Sequence, residues 1–394
     1  MDTGLRHDLL KFGAGAEERL VTMRRELHAQ PELSFQEKAT AEYIVDHLNA
    51  GELAHLGQGV GGTGVVADVR GKLPGRSVLV RADMDGLPIV EATNLPYRSK
   101  SDGVMHACGH DVHMAIALAL AEGLSANRHR LPGMVRFAFQ PAEEGAGGAR
   151  PMIDAGVLDG IDRVIGLHVW SELPVGKISV RDDAMMASAD QFRLIIRGKG
   201  GHGAMPEATV DAVVIAAQVI TALQTLVSRE TSPRSPVVVT LGSVHGGTAP
   251  NIIAGEVVIQ GTLRTFDTQL REDLLLRIAE LSAGIAGALR GSCEFRHESG
   301  APPVVNDPAM SALVAEAART VVGEDGVVPF MPLMVGEDFA YFLKERPGCF
   351  FLLGGAPRGP RVVHHTAQFQ VDEACLPIGL KVMTAAVLRL LALD

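Results

Sequence analysis

Residues 77–85 read SVLVRADMD, a short and mainly apolar run that ends in two carboxylates, Asp83 and Asp85. An apolar run of this length, closed by polar residues, has the pattern of a buried strand. The same pattern returns at 134–139 (MVRFAF), 163–167 (RVIGL) and 349–353 (CFFLL). Helix-like segments lie among these runs, most clearly 112–124. Ahead of the first run, 17–30 has helical spacing that ends at Pro31, and 40–48 reads as a second helix. Strands alternating with helices predict an α/β domain built around a mostly parallel sheet.

The middle of the chain has a different character. Residues 189–197 (ADQFRLIIR) alternate like a half-exposed strand, 211–226 is an apolar helix, and 236–241 and 256–266 read as strands. A charged helix follows from Gln269 to about Arg290. This β-α-β-β-α-β order predicts a smaller α+β open-faced sandwich inserted into the larger domain. The expected division is a catalytic domain of residues 1–183 and 297–394 and an inserted lid or dimerisation domain of residues 184–296. Two domains also fit a length of 394 residues, which exceeds the usual single core.

Charge and composition narrow the partners. A net charge of −10 argues against nucleic acid as the main partner, because phosphate binding requires a basic surface. No basic amphipathic run points to a membrane, and apolar segments such as 114–124 are too short to cross one. The first residues, MDTGLRHDLLKFGAG, have no apolar stretch of signal-peptide length. Cys108, Cys293, Cys349 and Cys375 are scattered without a Cys-x-x-Cys pair, which fits a reducing compartment. The expectation is a cytoplasmic protein.

Residues able to ligate a metal fall where the predicted strands end. Asp83 and Asp85 follow the first, Glu143 and Glu144 the second, and His168 closes the third. Cys108 and His110 sit in HACGHD before the buried helix, which Asp111 is placed to cap, and His365 follows the last strand after a glycine-rich loop at 354–360. In open α/β sheets ligands bind beyond the carboxyl ends of the strands, so such residues can converge on one site. Taken singly, each has a plain alternative: a hydrogen-bonded surface His, a small apolar Cys, a solvated Glu pair. Cys108 and His110 converge only if Gly109 bends the chain before the helix begins. Thiolate, imidazole and carboxylate donors together suit zinc and tolerate manganese, cobalt or nickel. Five ligands are too many for one open tetrahedral ion, whereas two divalent ions sharing a bridging group suit hydrolysis.

The order of motifs resembles the M20 metallopeptidase family, in the branch of the hippurate, N-acyl-amino-acid and aminoacyl-auxin amidohydrolases. The resemblance rests on RRELHAQPELSFQE (24–37), RADMDGLP (81–88), HACGHDVHMA (106–115), QPAEEG (140–145), GLHV (166–169), GKGGHGAMPE (198–207), PNII (250–253), GTLRTF (261–266), GEDFAYF (336–342) and HHTAQFQVDEA (364–374). It implies that Cys108 bridges two metals, with His110 and His168 on one ion and Glu144 and His365 on the other. Glu143 would then be the catalytic base. Asp85 matches the acid that orients a ligand His, and Asp83 stands where related branches carry a His ligand, so it is not counted. His364 competes with His365, which the spacing to Phe369 and Leu376 favours. The resemblance also implies that His202 stabilises the oxyanion from a partner subunit of a homodimer. Asn251 and Arg264 would hold the substrate's amide and carboxylate, although Arg264 reads equally well as a solvated strand residue.

The literal match Gly198-x-Gly200-x-x-Gly203 to a dinucleotide fingerprint is set aside, because Pro206 delays any helix and His202 sits inside the loop. The sequence departs from the family's pattern at Glu207, Ala212 and Thr366-Ala367, where His, Pro and Pro are usual. Glu207 would disfavour an anionic acyl group. The function expected is a metal-dependent amidohydrolase that cleaves small N-acyl amino acids, acetyl or benzoyl among them, to a carboxylic acid and a free amino acid. A metallo-dipeptidase or carboxypeptidase is the alternative enzyme, acting on a dipeptide. A silent paralogue that binds amino-acid derivatives or metal is the alternative from another class.

Overall fold

A computed structural model of the chain describes residues 4–5, 9, 17–49, 51, 53–145, 147–359 and 361–393. Most of the N-terminal stretch read for a signal sequence, and Pro360 of the glycine-rich loop, lie outside these residues. Contacts divide the chain into two compact units. Unit 1 comprises Met1–Asp183, Val305–Met331 and Asp338–Asp394, and unit 2 comprises Ala184–Val304 and Pro332–Glu337.

Unit 1 begins with helices α1 (Glu17–His28) and α2 (Lys38–Leu48) and strands β1 (His55–Val60), β2 (Gly64–Arg70) and β3 (Leu73–Asp83). Helix α3 (His110–Ala126) follows, then β4 (Pro132–Gln140), β5 (Arg163–Pro174) and β6 (Ile178–Val180). The chain then builds unit 2 from β7 (Ala189–Arg197), α4 (Ala212–Thr225), β8 (Val237–Gly246), β9 (Glu256–Thr265), α5 (Thr268–Ala288) and β10 (Ser292–Ala301). It returns to unit 1 with α6 (Pro308–Val322), β11 (Gly348–Ala356) and α7 (Cys375–Leu390).

The sheet of unit 1 runs β1-β2-β4-β3-β5-β11-β6. Its four inner strands, β4, β3, β5 and β11, are mutually parallel, and the outer pairings are antiparallel. The inner strands are apolar throughout because both faces are covered. On β11, Phe351 and Leu353 join the core shared with α3 and α7. Phe350 points the other way, its ring 5.1 Å from that of Phe339. Helix α3 is buried over nearly its whole length, which accounts for its lack of a polar face.

Details of unit 1 and of its boundary with unit 2 depart from the sequence reading. Strand β5 does not close at His168 but continues to Pro174, since β11 pairs with it as far as Pro174. Asp111 does not cap α3. The helix starts at His110 after Gly109, and the Asp111 carboxylate is buried against Arg24 and His28 instead. The inserted unit ends near Val304 rather than residue 296, because β10 stays paired with β7 through Ala301.

Unit 2 is a four-stranded antiparallel sheet, β8-β9-β7-β10, and α4 and α5 pack on it. Asp211 and Asp267 cap the two helices through their first backbone N–H groups. Strand β9 buries alternate residues, as one covered face requires. Helix α4 runs on through a π-helical turn, Leu226–Glu230. The combined segment Ala212–Glu230 is therefore long and apolar enough to cross a membrane, contrary to the expectation that every apolar segment is too short. Ile215, Val219 and Leu223 on it belong to the core of unit 2, so packing in this fold explains part of that apolarity.

Candidate metal centre

The site is assembled at the carboxyl ends of the inner strands of unit 1. Gly109 makes the first contribution. Its φ of 92° lies in the left-handed region, and a Cβ there would stand 2.4 Å from Val169 Cγ1. Only glycine combines that turn with that approach. The bend brings Cys108, at the end of a loop, and His110, the first residue of α3, to the same place.

Ring orientation is set by backbone carbonyls. His110 donates from Nδ1 to the Asp85 carbonyl at 2.9 Å, and His168 donates from Nδ1 to the Val169 carbonyl at 2.7 Å. Each ring thereby turns its Nε2 inward, the arrangement expected of a ligand histidine. Nε2 of His168 and Nε2 of His365 both lie 3.3 Å from Cys108 Sγ. His365 Nε2 is also 3.3 Å from Glu144 Oε1. Of the five donor groupings among the described residues, two contain the thiol, Cys108 with His110 and His168, and Cys108 with Glu144 and His365. The thiol belongs to both.

Two buried polar atoms stand out at the site. Among the described residues, His110 Nε2 and Glu144 Oε1 are buried and have no hydrogen-bond partner. They lie 3.8 Å apart, with Glu143 Oε2 3.9 Å from the same His110 nitrogen. Burial opposes the charged form of His110, but Asp83, Asp85 and Glu144 outweigh it and lift the imidazole to about 10. Burial and the carboxylates of Glu144, Glu143 and Asp83 push the Cys108 thiol well above its ordinary value. A concentration of buried anionic groups that holds a proton on imidazole and thiol alike is one that cations would relieve. The residues fit two divalent ions.

Two residues at this site have unusual backbone conformations. The non-glycine residues with left-handed φ among those described are Phe35, Ala142, Arg290 and His365. Ala142 immediately precedes Glu143, and His365 is itself a donor. Such strain gathers where a site over-determines its geometry.

The other expected residues separate cleanly. Asp85 meets His110 chiefly through its carbonyl, and its carboxylate is 3.4 Å from that ring. Its two oxygens accept the backbone N–H groups of Glu143 and Glu144, each at 3.0 Å. His364 turns away from the donors: its Nε2 donates to the Val169 carbonyl at 3.1 Å, and its ring stacks on Trp170. Asp83 is fully engaged with Arg81 and His113. His113 receives the Val169 N–H on its Nε2 at 2.9 Å, so it donates from Nδ1 to Asp83 and presents no lone pair to a metal.

His202, Asn251 and Arg264 belong to unit 2. His202 lies in a two-residue strand whose partner is Ile252–Ile253, so the fold sets it beside the loop of Asn251, and both are exposed. Arg264, half-buried on β9, makes no hydrogen bond or ion pair among the described residues. Burial lowers its pKa, with only Asp190 acting against that.

Sequence reasoning did not assign Glu37 and Ser34, which brace the Glu143–Glu144 loop and Asp85, or His113 and Arg81, which hold Asp83. Their signal was present in PELSFQE, HDVH and RADMD, but a supporting hydrogen bond has no spacing rule.

A profile described as Peptidase family M20/M25/M40 matches residues 79–389. The chain is 44% identical over 340 residues to the N-acyl-L-amino acid amidohydrolase of Geobacillus stearothermophilus, covering 84% of this chain and 92% of that one. It is 39% identical over 372 residues to thermostable carboxypeptidase 1 of Saccharolobus solfataricus, covering 92% and 93%. Among solved structures, the Bacillus subtilis YXEP protein, described as a dinuclear metal binding peptidase from the M20 family, superposes with a TM-score of 0.82. The identity is 35%, and 96% of this chain and 99% of that one are covered. With the donor geometry and these similarities together, the chain belongs to peptidase family M20/M25/M40.

Proposed function

We propose that the chain is a metal-dependent hydrolase that cleaves the amide bond of small N-acyl amino acids, releasing a carboxylic acid and a free amino acid. The observation that carries this reading is the position of Cys108 Sγ, 3.3 Å from the inward nitrogens of both His168 and His365. Cys108 would bridge two ions, with His110 and His168 holding one and Glu144 and His365 the other. The soft and borderline donors favour zinc, with manganese, cobalt or nickel able to substitute. When bound, two such ions polarise the scissile carbonyl and make water nucleophilic near neutral pH.

Glu143 is the general base. It neighbours Glu144, and its backbone N–H is fixed by Asp85. A carboxylate tied to metal is a poor base, so the division of roles between adjacent glutamates follows from coordination. Glu143 takes the proton of the attacking water and returns it to the leaving amine nitrogen as the C–N bond breaks. In the same reading His202 neutralises the oxyanion, Asn251 holds the substrate amide and Arg264 its carboxylate. That Arg264 makes no ion pair among the described residues supports a role toward a ligand anion.

A homodimer formed through unit 2 is part of the proposal. Val213 and Val214 on α4, and Val238 and Val244 on the edge strand β8, are exposed apolar residues. An open strand edge beside an apolar helix face suits a self-complementary contact. The cytoplasm is the proposed location, supported by four cysteines that form no disulfide.

The carboxypeptidase relative favours a second reading, cleavage of a peptide rather than an acyl amide. Elemental analysis of protein purified without chelators, with hydrolysis of N-acetyl and N-benzoyl amino acids beside dipeptides, separates the two. About two ions per chain and chelator-sensitive release of amino acid from the acyl substrates are expected. Preference for dipeptides would move the assignment to the second reading, and neither metal uptake nor hydrolysis would overturn both.

A further inference from the structure

We propose that Glu37 is a positioning residue for the Glu143–Glu144 pair, acting as one half of a carboxylate clamp on the loop that carries them. This inference rests on the roles given above to the two glutamates. Three consecutive backbone N–H groups of that loop end on two acids. Ala142 donates to Glu37 Oε1 at 2.9 Å, Glu143 to Asp85 Oδ1 and Glu144 to Asp85 Oδ2, both at 3.0 Å.

The clamp has something to oppose. Ala142 is fully buried with a φ of 55°, a conformation that an alanine leaves unless it is held. Relaxation at Ala142 would swing the directions of both following side chains. Asp85 alone fixes the two later N–H groups, whereas Glu37 takes the N–H of the strained residue itself, whose carbonyl accepts from the Gly148 N–H at 3.0 Å.

Glu37 is itself immobilised. It is buried at the start of α2, and its second oxygen accepts a hydrogen bond from the Thr63 hydroxyl. The segment that supplies it also supports the other half of the clamp, since Ser34 donates to Asp85 Oδ2 at 2.7 Å. The segment PELSFQE thus gains a specific purpose: residues 34–37 brace both carboxylates behind the loop. Glu37 touches neither the donor set nor the reacting atoms, so its effect passes through the backbone.

The role requires an acceptor oxygen rather than a charge, which sets the test. Wild type, Glu37→Ala, Glu37→Gln and Thr63→Val are compared by hydrogen exchange of the peptide spanning 140–148, by kcat and KM, and by cobalt(II) absorption. Glu37→Ala is expected to speed exchange at 142–144, shift the cobalt bands and lower kcat about 100-fold with little change in KM, as a misplacement near 1 Å does. Glu37→Gln keeps an oxygen for Ala142 and should restore most of the protection and rate. Wild-type exchange and kcat in Glu37→Ala would overturn the proposal, as would a Gln variant as impaired as the Ala variant. Should Glu37→Ala fail to fold, Thr63→Val decides: faster exchange with lower kcat upholds the clamp, and wild-type values for both overturn it. If wild type neither binds metal nor hydrolyses any amide, the functional reading falls while exchange still judges the clamp.

Discussion

Replacing Gly109 by alanine tests whether one backbone bend makes the metal centre. The new methyl group would be placed in a left-handed conformation, at a cost of about 1–2 kcal/mol. It would also stand 2.4 Å from Val169 Cγ1, and Val169 is fully buried on β5 with no room to retreat. Overpacking of that kind costs about 1–3 kcal/mol, so the metal-free protein should lose about 2–5 kcal/mol in all. Gly103→Ala is the control. It shares a positive φ of 74° but meets nothing within 4 Å, so only the conformational cost applies. The assay is denaturant unfolding of metal-free and metal-loaded protein. Because Cys108 and His110 flank the bend, Gly109→Ala should also shrink the stabilisation that metal confers, and each 100-fold loss of affinity removes about 2.7 kcal/mol in saturating metal. Metal-free stability within about 0.5 kcal/mol of wild type, together with an unchanged gain from metal, would refute the reasoning.

Other consequences follow from the same geometry. Glu143→Gln should lower turnover about 100-fold to 10,000-fold while keeping both ions, since Gln cannot take the proton but Glu144 is untouched; kinetics with elemental analysis checks this, and loss of metal would contradict the division of roles. Cys108 should resist alkylation in the metal-loaded protein and react after chelation, with mass spectrometry as the readout; equal rates in both states would count against its being a ligand. His28 is buried between Asp111, at 2.8 Å, and Glu91, at 3.3 Å. Burial works against its charge, but the Asp111 and Glu91 contacts prevail and raise its pKa. A raised histidine contributes stability that is complete below its unfolded value of about 6.5 and is lost as pH rises through the folded value. Urea unfolding from pH 5 to 9 should therefore show wild type ahead of His28→Gln at the acid end, with the gap closing toward the alkaline end. A gap that stays constant or widens with pH would contradict the pairing.

The sequence by itself determined much of this protein. Apolar runs at 77–82, 134–139, 163–167 and 349–353 are too short for helices of ordinary length and alternate with helix-like segments, so the α/β class was readable from pattern alone. The β-α-β-β-α-β order of the insertion was readable for the same reason, because alternating burial leaves a period of two in the residues. The bend at Gly109 was also visible, since two ligand types separated by one glycine at the start of a helix cannot share a face of that helix.

Tertiary structure alone decided the rest. That His365 rather than His364 faces Cys108 depends on the Val169 carbonyl and the Trp170 ring, which take up His364 from a strand almost 200 residues away. Asp111 looked like a helix cap because capping is local, but Arg24 and His28 claim its carboxylate across 87 and 83 residues. The extent of β5 beyond His168 required its partner β11, and the clamp on Ala142 required Glu37 from 105 residues away in sequence. In each case local preference leaves several outcomes close in energy. A hydrogen bond from a distant residue selects one, because a buried polar group left without a partner costs more than any local preference supplies.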